Sequence, residues 1–172
     1  SYVKNATTEL LVGRHADIDD RGQTIFLVNV KTKATDNNTN INVTFDGITT
    51  ITDTVDYSGV EKNNHYVIKG VLMDRIINED GSITDVPLLR TDGTQYTNIE
   101  TYELNGETKD GKKINSGNAT KGTTTVEYVV NPTVLLNHTI VIYEELYWLH
   151  EDKNTHETVE ELIAIHKNID DT

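Results

Sequence analysis

Cysteine is absent from this 172-residue chain. A domain exposed to an oxidising exterior would therefore draw its robustness from core area, a metal or some other covalent link, not from disulfides. Methionine occurs once, leaving little oxidisable sulfur, and proline only twice. With 11 glycines, so few prolines exclude a low-complexity linker. No apolar run reaches the roughly 18 residues that a membrane-spanning helix needs. No signal peptide or sorting motif stands in residues 1–172. Basic residues are scarce, 15 against 28 acidic ones, and the formal net charge is -13. That balance argues against a nucleic-acid partner, whose phosphates require a basic face. It suits a solvated, non-sticky surface.

What the chain does hold is a β composition, rich in Thr, Asn, Val, Ile and Tyr and poor in Ala and Leu. Its length accommodates one domain with a proper core and a fragment of a second. Period-two alternation marks strands at 24–34, 49–57, 66–73, 123–130, 139–147 and 161–169, with a weaker one at 94–102. Polar clusters at 36–40, 78–82 and 150–157 read as turns, and the Gly-rich stretch 105–121 reads as a loop. Residues 157–162 could form one helical turn, but the corresponding N-terminal stretch 7–12 reads as a strand. Strands at this spacing without long helical patterns predict an all-β fold, an immunoglobulin-like Greek-key β-sandwich.

The chain also repeats itself. Leu10-Leu11-Val12-Gly13-Arg14-His15-Ala16-Asp17-Ile18-Asp19-Asp20 near the start answers Leu162-Ile163-Ala164-Ile165-His166-Lys167-Asn168-Ile169-Asp170-Asp171 near the end. Each is an apolar strand, a His, then x-x-Ile-Asp-Asp. Such self-similarity is the mark of a tandem array. It divides the chain into residues 1–29, the tail strands of a preceding repeat, and a body at 30–172. The first copy continues to Gln23, eight residues after His15, whereas the second stops at Thr172.

Five residue types on neighbouring strands suggest chemistry. Thr32 shares a strand face with Val28, Val30 and Ala34. Asp53 lies inside Thr49-Thr50-Ile51-Thr52-Asp53-Thr54-Val55, and Glu144 follows Ile140-Val141-Ile142-Tyr143. A carboxylate in such a setting is costly unless paired or protonated. The repeated His15 and His166 close apolar strands, and Gln23 falls on the strand after His15. A buried Gln taken alone is usually just a hydrogen-bonded core residue. Together the set supplies a nucleophile, an acid pair, a base and an acyl group. His can take the hydroxyl proton near neutrality. Two close buried carboxyls keep one proton between them, and that proton can polarise the Gln carbonyl as an oxyanion hole would. Attack by Thr then expels ammonia and leaves an ester, at the effective molarity the fold supplies.

The ordered segments Lys31-Thr32-Lys33-Ala34-Thr35-Asp36, Asp53-Thr54-Val55-Asp56-Tyr57-Ser58-Gly59-Val60, Tyr66-Val67-Ile68-Lys69-Gly70-Val71-Leu72-Met73-Asp74, Thr125-Val126-Glu127-Tyr128 and Val141-Ile142-Tyr143-Glu144-Glu145-Leu146-Tyr147, with the His15 to Gln23 stretch, resemble the VaFE-type repeat. That is the Thr–Gln ester-bond domain of Gram-positive surface adhesins. The resemblance implies an immunoglobulin-like stalk domain on the cell wall with a self-made ester between a first-strand Thr and a last-strand Gln. Carried over by motif, Thr32 is the nucleophile, Asp53 and Glu144 the acid pair and His166 the base. His15 and Gln23 match the base and acyl partner of the preceding repeat. Thr35 stands as an alternative nucleophile and Glu145 as an alternative acid. The expected departure is that the body's own terminal Gln is missing from residues 1–172: either it follows residue 172, or Gln23 of one copy complements Thr32 of another. Closure within one chain is disfavoured by the short connection from residue 23 to residue 32.

The expected partners are adjacent repeats and head-to-tail copies of the same chain, with no nucleic acid, membrane or small-molecule substrate and no cofactor. The expected location is extracellular, and the chemistry is a single turnover, not enzymatic. A metal site from His150, Glu151 and His156 lacks the H-E-x-x-H spacing and reads better as a polar hairpin tip. Asp17, Asp19 and Asp20 make no EF-hand loop. The main rival is a ligand-binding module using loop 105–121, which lacks aromatic anchors. A hydrolase using the same set would lack a Gly-rich nucleophile elbow. His65 and His138 stand in loop-like surroundings, and the Asn-x-Thr sequences at Asn5, Asn37, Asn42, Asn118 and Asn137 require no glycan.

Overall fold

A computed structural model describes residues 29–36, 49–131 and 138–167, with the first of these segments described by its backbone pairing. Ten strands follow one another: β1 Asn29–Asp36, β2 Thr49–Ser58, β3 His65–Ile77, β4 Ile83–Pro87, β5 Thr101–Leu104, β6 Glu107–Asp110, β7 Lys112–Asn115, β8 Lys121–Val130, β9 Ile140–Glu151 and β10 Thr158–Lys167. One sheet has the order β1-β2-β8. The other has the order β10-β9-β3-β4, with β7 also on β3. The chain leaves the first sheet after β2, returns at β8 and leaves again at β9. This is the Greek-key interleaving of an all-β sandwich. The tail at 1–28, with His15 and Gln23, lies outside the described residues, as do 37–48, 132–137 and 168–172.

The core lies where the inward faces of the two sheets meet. Val55, Val126 and Tyr128 come from one sheet, and Ile68, Leu72 and Leu146 from the other. Alternation drives the assembly: in β3, Tyr66, Ile68, Gly70 and Leu72 point inward while Lys69 and Val71 point away. Asp53 and Glu144 occupy inward positions in β2 and β9, so the sandwich buries them with its apolar residues.

One sequence expectation is corrected. The stretch 105–121 is not one loop. Asn105 and Gly106, at φ 53 and 79, form the two-residue turn between β5 and β6, and β7 follows. Tyr102 and Leu104 of this hairpin pack on Val67, against Tyr147 and Leu149, covering part of the outer face of the larger sheet. Residues 157–162 form no helical turn, because β10 runs through Thr158–Lys167 as a strand. Residues 94–102 make isolated bridges, Val71 to Thr97 and Leu89 to Gln95, before β5 begins. The expected turn at 78–82 is there, closed by Asn78 N–H and Ser82 O at 2.8 Å, and it leads into β4.

Candidate functional site

The site is built from strand register. On β9, Glu144 stands opposite Gly70 of β3 on one side and His166 of β10 on the other. Directly opposed residues share a sheet face, so Glu144 and His166 both enter the core, each 1% exposed. This alignment depends on a bulge. Leu162 pairs with Tyr147, but Ala164, not Ile163, pairs with Leu146. The extra residue resets the alternation of β10 by one position. Without it, His166 would share the outward face with Leu162. Bulges beside functional sites commonly re-aim a side chain in this way.

Across the sandwich, Asp53 of β2 is also 1% exposed. It lies opposite Ala34 of β1 and Val126 of β8. Thr32 lies opposite Val55, so position 32 falls on the same sheet face as Asp53, diagonally beside it. Thr35 pairs with Thr52 and falls on the other face. Glu145 likewise occupies the outer face of β9, where the Tyr147 hydroxyl donates to it. In the described residues β1 and β10 are the edge strands of their sheets, and the two approach one another. The site therefore sits where the first and last strands meet.

Burial pushes the Glu144 carboxyl well above the usual carboxylate range, and the neighbouring Asp53 charge pushes it the same way. A hydrogen bond donated by Tyr128, 3.2 Å to Oε1, opposes the shift without cancelling it. Burial and the nearby charge both favour the protonated form of Glu144 beside Asp53. Tyr128 is itself fully buried, and desolvation with two nearby carboxyls raises its phenol well above the ordinary value. It remains a donor. Sequence reasoning did not single out Tyr128 as a site residue, although its alternation with Val126 and Val130 marks it as inward-facing.

Among the described residues, His65, His138, His150 and His156 lie elsewhere. His150 stacks on Trp148 at 3.9 Å between ring centroids and meets Glu161 at 3.0 Å. His156 meets Glu151, and His138 meets Asp74, each at 2.7 Å. Among the described residues no group of three or more His, Asp or Glu is arranged to hold a metal ion.

Fold and site together define an all-β sandwich with a buried acid pair and a histidine where the first and last of the described strands meet. A family model described as the T-Q ester bond containing domain matches residues 28–172, and the chain belongs to that family. Comparison with curated proteins gives no match.

Proposed function

We propose that this chain is a stalk domain of a Gram-positive surface adhesin that forms a Thr–Gln ester by its own chemistry. The observation that carries the proposal is the burial of Asp53, Glu144 and His166 together on the faces that meet beneath β1, with position 32 beside Asp53. Family membership supports an ester crosslink made by the domain itself.

In the proposed reaction His166 takes the Thr32 hydroxyl proton as the oxygen attacks the Gln side-chain carbon. The proton on the acid pair stabilises the oxygen that becomes negative. The carbon–nitrogen bond then breaks, and the nitrogen leaves as ammonia with the proton His166 had taken. Hydroxyl and carboxamide become ester and ammonia, with no water consumed. The reaction occurs once per domain, so the protein is not a turnover enzyme. A dry site preserves the product, and the link ties the first strand to the last. Under tension along a stalk, that tie resists strand separation as a disulfide would.

The acyl partner in residues 1–172 is Gln23, delivered from one copy to Thr32 of the next. The contact is heterologous, so copies join as open chains or rings. His15 stands in the donated tail where His166 stands in the body. The working surroundings are the bacterial cell wall and neighbouring repeats. The test is peptide mapping of the purified full chain after denaturing electrophoresis. The expected result is a ladder in which the peptide bearing Thr32 is joined to the peptide bearing Gln23, with one ammonia lost per link. Unlinked chains at formula mass would refute Gln23 as the partner. Hydroxylamine, which cleaves esters, should release the link at Thr32; it also cleaves Asn–Gly bonds, so release must be read at Thr32 and not at Asn105-Gly106.

A further inference from the structure

Gly70 interrupts the inward-facing row Tyr66, Ile68 and Leu72 of β3, in the middle of the larger sheet. It is not among the residues with positive φ, so torsional freedom does not explain it. Space does. A Cβ at position 70 would lie 1.7 Å from the Tyr128 hydroxyl and 2.7 Å from its Cζ. The missing side chain is the slot through which the Tyr128 phenol, rooted in the opposite sheet, reaches Glu144. Asn98 holds the floor of that slot. Its Oδ1 accepts from Gly70 N–H at 3.3 Å, and its own N–H donates to Gly70 O at 3.3 Å.

The bond through this slot is specific to one oxygen. Tyr128 donates to Oε1 of Glu144, while Oε2 is buried and receives no donor hydrogen bond from the described residues, and the carboxyl itself is hydrogen-bonded to Asp53. An oxygen that accepts a phenol proton is a poor place for a carboxyl proton, so the acid proton of Glu144 belongs on Oε2. We propose that Tyr128 is a positioning residue for ester formation: by occupying Oε1 it places on Oε2 the proton that Glu144 shares with Asp53 and that the acid pair offers to the incoming amide carbonyl. Tyr128 touches neither reacting atom and acts through Glu144. The inference rests on the ester-forming reading for its consequence, but the placement of the proton can be read separately.

The groups facing Glu144 are Asp53 from β2, Tyr128 from β8 and His166 from β10, while β3 contributes only Gly70. Of these, Tyr128 is the one whose hydrogen bond draws the Glu144 pKa downward. Loss of its hydroxyl therefore moves the titration of the acid pair to higher pH.

The decisive experiment is difference infrared spectroscopy on the full chain carrying T32A, which holds the site unreacted. A protonated-carboxyl band that E144Q removes is expected at neutral pH. Adding Y128F should move that band to higher wavenumber, because its carbonyl loses a donor. Should Y128F fail to fold, 3-fluorotyrosine labelling of the T32A chain makes the phenol a stronger donor at nearly unchanged shape, and the band should move to lower wavenumber. An absent band, or one unmoved by both changes, overturns the proposal. In the reactive chain, Y128F should slow ester formation by about tenfold or more, as expected for loss of a hydrogen bond in a charged site. The pH profile should also rise as a whole to higher pH, whereas a merely structural defect would lower the rate without moving the profile. If no ester forms in the parent chain but the band responds, the ester reading fails and the positioning of the proton stands.

Discussion

Replacing Gly70 by alanine tests how tightly the site is packed. The new Cβ would stand 1.7 Å from the Tyr128 hydroxyl. Reaching ordinary contact requires a shift of about 1.7 Å, by a fully buried ring or by the central strand β3. Overpacking of this kind costs about 1–3 kcal/mol. Moving the phenol also breaks its bond to Glu144, leaving buried polar atoms unpaired at about 1–3 kcal/mol more. The expected loss is about 2–6 kcal/mol, a large part of the stability of a domain this size. Urea unfolding of the chain carrying T32A, which excludes any crosslink, measures it. The double-mutant cycle with Y128F sharpens the assignment. Removing the hydroxyl deletes the 1.7 Å contact but leaves the one at Cζ, so G70A should cost at least about 1 kcal/mol less in the Y128F background. A G70A penalty below about 1 kcal/mol, or strict additivity of the two changes, would refute the reasoning.

Three further outcomes follow from the same geometry. Glu144 has a folded pKa raised above its unfolded value, so the folded chain holds the extra proton between the two. Stability from this group is fully present below the ordinary carboxylate range and is lost as pH rises toward the raised folded pKa, at up to about 1.4 kcal/mol per pH unit. E144Q in the unreacted chain should remove that slope in urea titrations across pH, and an unchanged slope would mean Glu144 is ionised when folded. T32A should abolish the ester while T35A preserves it, because positions 32 and 35 fall on opposite faces of β1; peptide mapping that finds the link at Thr35 would reverse the assignment. Arg75 grips Asp85 with Nε and one terminal nitrogen, each at 2.9 Å, while the Tyr143 hydroxyl donates to the same carboxylate. R75A should cost about 3 kcal/mol by breaking a largely buried pair, and thermal or urea unfolding that shows under 1 kcal/mol would contradict it.

Much of the fold was legible because alternation is a direct record of burial. β2, β3, β8 and β9 lie where period-two patterns place them, and Asp53 and Glu144 stood out as acids at inward positions. The legible part stopped where two partners must be known together. Leu162-Ile163-Ala164-Ile165 is apolar without alternation, so the bulge that turns His166 inward has no period to announce it. Gly70 reads as a weak point in a strand until Tyr128 is seen above it. The β5–β6 hairpin had a local signal in Asn105-Gly106, but the surrounding polar residues masked it. Those residues are polar because most of the hairpin faces water, with Tyr102 and Leu104 alone turned inward. The stretch of β4 is half-exposed and short, and the Arg75–Asp85 ion pair joins directly opposed residues of β3 and β4, a partnership that no apolar pattern announces.

The most direct test of the central claim is the mass of crosslinked peptides from the purified chain, compared with the same digest of T32A. The account predicts a linked pair carrying Thr32 and Gln23, lighter than the sum of its parts by one ammonia, and no such pair in T32A. A chain without any link at Thr32, or an ammonia loss that survives T32A, would contradict it.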